Sequence, residues 1–225
     1  MRGIFTFGFL IGIIIILGYF LTTNLTNKTN ETNRSNESNK TNESNLSNSS
    51  NFLIENPPSK SLIGKMTELL GDISFESRVA TMPASIKEPV DVHQGEIIKI
   101  GEKGSVTVSF DNELTLKLSD LTDLTFSQTL PSNIVLNQKD GQVNYVKTGV
   151  TPVSIRLLQS LLNIENGEVV VGIDTETHEV IINIKKGGAT IGFNDIDNVS
   201  TIVSLHEGKK YLFNSDERTI SLYNP

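Results

Sequence analysis

The chain has 225 residues and a formal charge of −7, from 19 Lys and Arg against 26 Asp and Glu. It contains no Cys, which excludes a disulfide framework, a Cys-ligated zinc or iron–sulfur site and a thiol nucleophile. The acidic balance argues against nucleic acid, whose phosphates call for clustered Lys and Arg.

Three segments of different chemistry follow one another. Residues 3–22 run from Gly3 through Ile13-Ile14-Ile15-Ile16 to Thr22 without a charge, and Arg2 is the only ionisable side chain before Lys28. About 20 apolar residues at ~1.5 Å rise cross the ~30 Å hydrocarbon core, so a transmembrane helix is expected here. A cleaved signal peptide is the alternative. Its apolar region is shorter, about 7–15 residues, and it ends on small residues, whereas this run exits through Gly-Tyr-Phe-Leu-Thr. The reading adopted is an uncleaved signal anchor, with residues 1–2 as a cytoplasmic stub and the remainder outside a cell membrane crossed once. Gly8 and Gly12 form a small-xxx-small pair that admits a homo-oligomer.

Residues 23–58 form a polar linker. Asn24, Asn27, Asn30, Asn33, Asn36, Asn39, Asn42, Asn45 and Asn48 each open an Asn-x-Ser/Thr triplet, in frame and without Pro at x. So polar a stretch buries too little apolar surface to offset chain entropy, which predicts disorder. Slippage of a triplet repeat is one origin. Constancy of Asn and Ser/Thr with a variable x favours the other, an array of N-glycosylation acceptors. A bare coil of this length spans about 33 Å, and dense glycans would extend it toward ~120 Å. Four basic and three acidic residues precede residue 52, so the rest of the chain carries 15 positive against 23 negative side chains.

Residues 59–225 read as the folded domain. Leu62, Ile63, Met66, Leu69 and Leu70 follow helical spacing ahead of Gly71, which predicts a short helix at about 60–70. Beyond it the period falls to two. Ile73/Phe75, Glu96–Ile100, Val106/Val108/Phe110, Leu114/Leu116/Leu118, Leu124/Phe126, Ile134/Leu136 and Val143/Tyr145 each predict a short strand. Glu168–Asp174 and Glu179–Ile184 flank a polar turn, and Ala189–Phe193, Thr201–Leu205, Lys210–Phe213 and Thr219–Leu222 follow. Pro152–Ile164 also fits a helical face through Ile155, Leu158, Leu161 and Leu162. The expected fold class is all-β, a β-sandwich or β-roll of about a dozen short strands, preceded by the transmembrane helix, the disordered linker and the short helix.

Candidate chemistry is sparse. Asp174, Glu176 and His178 would share one face of a regular strand and so could ligate a metal, against the simpler reading of a polar hairpin tip. Asn194-Asp195-Ile196-Asp197-Asn198 clusters oxygens suited to Ca²⁺ but equally makes a polar turn. His93 beside Asp91 and His206 beside Leu205 read as surface residues, and Lys185-Lys186-Gly187-Gly188 as a β-turn. No nucleophile elbow, HExxH or Walker loop is present. No catalytic, cofactor or metal residue is therefore assigned, and a hydrolase with a cryptic site is the third-ranked reading.

The strand pattern resembles the FecR-like domain, the periplasmic module of iron-dicitrate regulators. The resemblance rests on Gly95-Glu96-Ile97, Gly104-Ser105-Val106-Thr107-Val108-Ser109-Phe110-Asp111-Asn112-Glu113-Leu114-Thr115-Leu116, Leu121–Phe126, Leu136–Val143, Val180–Ile191 and Val203–Gly208. It covers residues 71–213. Asp111-Asn112 replaces the family's Asp-Gly, and Gly167-Glu168-Val169-Val170 departs from its Gly-Thr-x-Phe. The resemblance implies a non-enzymatic β module exposed at the cell envelope, in contact with a protein or glycan partner. Direct sigma-factor control is not expected, since only Met1 and Arg2 would be cytoplasmic. The competing expectation is a structural cell-surface glycoprotein without a soluble ligand.

Overall fold

The computed structural model describes residues 60–223. The predicted transmembrane span, the linker and all nine Asn-x-Ser/Thr acceptors lie outside the described residues. Within them the chain is all-β, with fifteen strands and no helix. In chain order these are β1 Gly64–Leu70, β2 Ile73–Glu76, β3 Ala84–Ile86, β4 Asp91–Val92, β5 Ile97–Ile100, β6 Ser105–Phe110, β7 Leu114–Leu118 and β8 Asp123–Leu130. They continue with β9 Asn133–Lys147, β10 Val153–Leu157, β11 Ser160–Asp174, β12 Glu179–Asn194, β13 Ser200–His206, β14 Lys209–Asn214 and β15 Thr219–Leu222.

The helix expected at 60–70 is a strand. β1 lies antiparallel to β6, with Met66 opposite Val108, and to β4, with Lys65 opposite Asp91. Gly64 and Met66 are buried while Lys65 and Thr67 face solvent. The misleading spacing arises at Glu68, whose φ of 54° coincides with a break in the β1–β6 register between Thr67 and Leu70. That irregularity spaces the side chains of Met66 and Leu69 three positions apart, which mimics a helical turn. Leu70, apolar on the helical reading, is 63% exposed. So short an isolated helix is marginal in water, whereas the open edge of β6 supplies backbone partners and a buried face.

Several predicted short strands are halves of longer ones. Ile134/Leu136 and Val143/Tyr145 both belong to β9, and Glu179–Ile184 and Ala189–Phe193 both belong to β12. Lys185–Gly188 is accordingly not a turn but the midpoint of β12. Gly167 and Gly187 stand opposite each other on β11 and β12 with φ of 89° and 80°. A Cβ at Gly167 would strike the Lys186 carbonyl, and one at Gly187 the Asn166 carbonyl. The left-handed residues let both strands bend together without ending. Pro152–Ile164 resolves as β10, the turn at Leu158-Gln159 and the start of β11.

The fifteen strands form one open sheet. At the bends each long strand changes partners. The first half of β9 pairs with β8 and, in parallel, with β10, and the second half with β7 and β11. The second half of β12 pairs with β13, and its first half with β14. Two runs of strands result, one through β15, β14, β7, β6 and β1, the other through β13, β10, β8, β5 and β2. Their apolar faces meet: Phe110 of β6 lies 5.8 Å from Phe126 of β8, and Phe193 of β12 lies 5.1 Å from Phe213 of β14, both as tilted ring pairs. Alternation along β6 and β7, and along each half of β9, β11 and β12, puts every second side chain into a single core cluster, with the parity reset at each bend.

On β9 two polar side chains share that inward parity. Gln138 follows Ile134 and Leu136, and Lys147 follows Val143 and Tyr145. Buried polar groups require partners. Gln138 Nε2 donates to the Gly141 and Val171 carbonyls at 2.9 and 3.2 Å, and its Oε1 accepts from the Tyr145 hydroxyl at 2.8 Å. Lys147 Nζ donates to the carbonyls of Gly149 and Glu165 at 3.0 and 2.9 Å.

Candidate functional site

A groove of about 570 Å³ opens where the bend of β9 meets two turns, the one between β7 and β8 and the one between β11 and β12. Five carboxylates line it: Asp120, Asp140, Asp174, Glu176 and Glu179. None of its lining residues is Lys, Arg or His. Gly172 and Ile181, which face away from the core on β11 and β12, lie on its floor. A Cβ at Gly172 would meet nothing within 4 Å, so the floor stands open.

Two of the carboxylates, Asp174 and Asp140, are held by backbone amides. Asp174 Oδ1 accepts from the amides of Glu176 and Thr177 at 2.9 and 3.2 Å, closing the turn after β11. Those amide donors, Thr177 foremost, hold the Asp174 carboxyl below the usual carboxylate range. Asp140 Oδ1 accepts from the Gly141 amide at 2.8 Å, and its Oδ2 from the Thr175 hydroxyl at 3.3 Å, which ties the bend of β9 to the turn. Five carboxylates without a lining cation make the groove suited to ammonium or guanidinium groups.

The residues singled out from the sequence do not converge. Residues 175–178 form a turn, and His178 has a φ of 55°, so Asp174, Glu176 and His178 do not share a strand face. His178 Nδ1 instead meets the Asp216 carboxylate at 2.9 Å, linking the β11–β12 turn to the β14–β15 turn. Asp195 Oδ1 is occupied by the amides of Asp197 and Val199 at 2.9 and 2.8 Å, and the Arg218 guanidinium donates to the Asp195 carbonyl at 3.1 Å. Two oxygens of the Asn194–Asn198 stretch, the Asp195 carbonyl and Asn198 Oδ1, thus meet an internal cation. His93 donates its amide to Glu96 Oε2 at 2.6 Å, and the His206 amide reaches the Tyr211 hydroxyl at 3.1 Å. Among the described residues no group of three or more His, Asp or Glu is placed to hold a metal ion.

The acidic groove itself escaped the sequence reading. Its carboxylates come from three separate stretches of chain, and only pairing of the bent strands brings them together. Glu113 was also missed. It accepts from the Thr151 amide at 2.9 Å, and that bond keeps its carboxyl below the ordinary glutamate value.

No known protein family's profile matches the chain, and no curated protein matches it. Solved structures similar to it include two crystal structures of a protein from Parabacteroides distasonis ATCC 8503, provisionally described as an anti-sigma factor. They share 12% and 11% identity with it, each with a TM-score of 0.48 over 57% of this chain. The matched part spans 59% of the length of those proteins.

Proposed function

We propose that the chain is a single-span, membrane-anchored FecR-like module that acts outside the membrane by binding a protein partner at the cell envelope, without catalysis. Residues 3–22 would anchor it, and the linker, glycosylated at the nine acceptors, would hold the domain off the bilayer. The doubled-over sheet is read as a β-roll. The observation that carries a binding role is the groove of five carboxylates, since its chemistry offers charge recognition. It favours a partner presenting Lys or Arg over an uncharged glycan. The residues matched to the FecR-like pattern sit on β6, β7, β9 and β12, where they set the core and bends that shape this groove.

A photo-cross-linker placed at Glu176 of the full chain in its native membrane tests this. One discrete protein adduct is expected, weakened by salt and lost in Asp174→Lys/Glu179→Lys. The structural-glycoprotein reading instead predicts the same adducts at Glu176 and at exposed Lys87, indifferent to charge reversal, and that result would retire the groove. The intact mass of the same preparation reads the linker: sugar-sized steps above 24.7 kDa support the glycan array, and the bare mass removes it.

A further inference from the structure

We infer that β13 is a self-pairing edge through which two copies of this chain join into one continuous sheet. Among the described residues β13 pairs with β12 alone, so its other side is open. The His206 amide turns away from β12 to the Tyr211 hydroxyl. Alternate residues of an antiparallel strand direct their backbone groups to the same side, so Ser200, Ile202 and Ser204 also present their N–H and C=O groups outward.

Nothing on this edge discourages pairing. Open edges are ordinarily blunted by charge, Pro, a bulge or shortness. β3 has three residues between Pro83 and Pro89, β4 has two, and β15 follows Glu217-Arg218. β13 has seven residues, Ser-Thr-Ile-Val-Ser-Leu-His, with no Pro and no carboxylate or Lys/Arg, and its register with β12 is unbroken.

The occupant follows from the symmetry of the pattern. A two-fold interface brings a surface against itself, so the strand must read the same in both directions. The open residues do: Ser200, Ile202 and Ser204 are a palindrome about Ile202. In antiparallel self-pairing Ile202 meets Ile202 of the second copy, and Ser200 meets Ser204. The three residues of each copy would then exchange about six backbone hydrogen bonds. Net negative charge on each copy disfavours association elsewhere, while this neutral strand carries none of it. Ile202, 77% exposed, also extends an apolar row in which Leu161, 39% exposed, lies across Gly192 from it. Pairing would cover Ile202 and join the two rows across the dyad.

Because the chain has no Cys, single introduced thiols report the register directly. In the full-length protein in its native membrane, Ile202→Cys should convert to a covalent dimer under mild oxidation. Ser200→Cys and Ser204→Cys should each remain monomeric alone but cross-link when the two are mixed. Leu222→Cys, on the neighbouring edge, should stay monomeric. Adding Ser204→Lys to Ile202→Cys should abolish the cross-link while leaving the β-sheet circular dichroism unchanged. Equal cross-linking at Ile202 and Leu222 would mean collision of copies held together elsewhere, and the inference fails. It fails equally if Ile202→Cys stays monomeric, whether because another protein or a segment of the same chain occupies the edge.

Discussion

Tyr145→Phe isolates the buried polar link that joins the two halves of β9. Tyr145 is fully buried, and its hydroxyl donates to Gln138 Oε1 at 2.8 Å. Removing the hydroxyl leaves that oxygen without a donor in a space no larger than one atom. A buried acceptor stripped of its partner costs roughly 1–3 kcal/mol, and about 2 kcal/mol is expected here. Gln138→Leu should cost more, about 3–4 kcal/mol, because it also strips donors from the Gly141 and Val171 carbonyls. In the double variant the hydroxyl is already gone, so the combined loss should fall short of the sum by about 1 kcal/mol. Urea unfolding of the full chain in mild detergent, followed by far-UV circular dichroism, measures all three. The pH dependence gives a second reading. Burial raises the Tyr145 pKa well above its ordinary value of 10.0. The folded state therefore keeps the phenolic proton that the unfolded chain releases above about pH 10. Stability from this group is complete below that pH and declines as pH rises, by about 1.4 kcal/mol per unit. Tyr145→Phe should flatten that alkaline slope. A variant within about 0.5 kcal/mol of the parent at pH 7, with strictly additive Gln138 and Tyr145 effects, would refute the link as described.

Three further outcomes are expected. Gly187→Ala, at a φ of 80° against the Asn166 carbonyl, should destabilise by about 2–3 kcal/mol in the same assay, whereas an alanine at open Gly172 should change little. Phe110→Ala should cost about 3–5 kcal/mol by emptying the junction with Phe126, and Phe110→Leu clearly less. The lowered pKa of Glu113 means that its contribution is present above pH 4.5 and lost as pH falls through the folded-state value; Glu113→Gln should weaken the acid-side dependence, and a carboxyl resonance titrating at or above 4.5 would contradict the Thr151 contact.

Sequence alone determined the period-two core. Apolar parity at Val106/Val108/Phe110, Leu114/Leu116/Leu118 and Ile134/Leu136 is a local property of a pleated strand with one face removed from water, so composition and spacing suffice to read it. Tertiary structure decided what local rules leave degenerate. Residues 60–70 satisfy a helical spacing, and only the open edge of β6 makes them β1. Gly187 reads as a turn residue, and only the partners on both sides of β12 show that the strand bends and continues. The acidic groove belongs wholly to this second class. Asp120, Asp140 and Glu179 carry no signal in the sequence until the bent strands gather them beside Asp174, because electrostatic potential depends on distances in space and not on spacing along the chain.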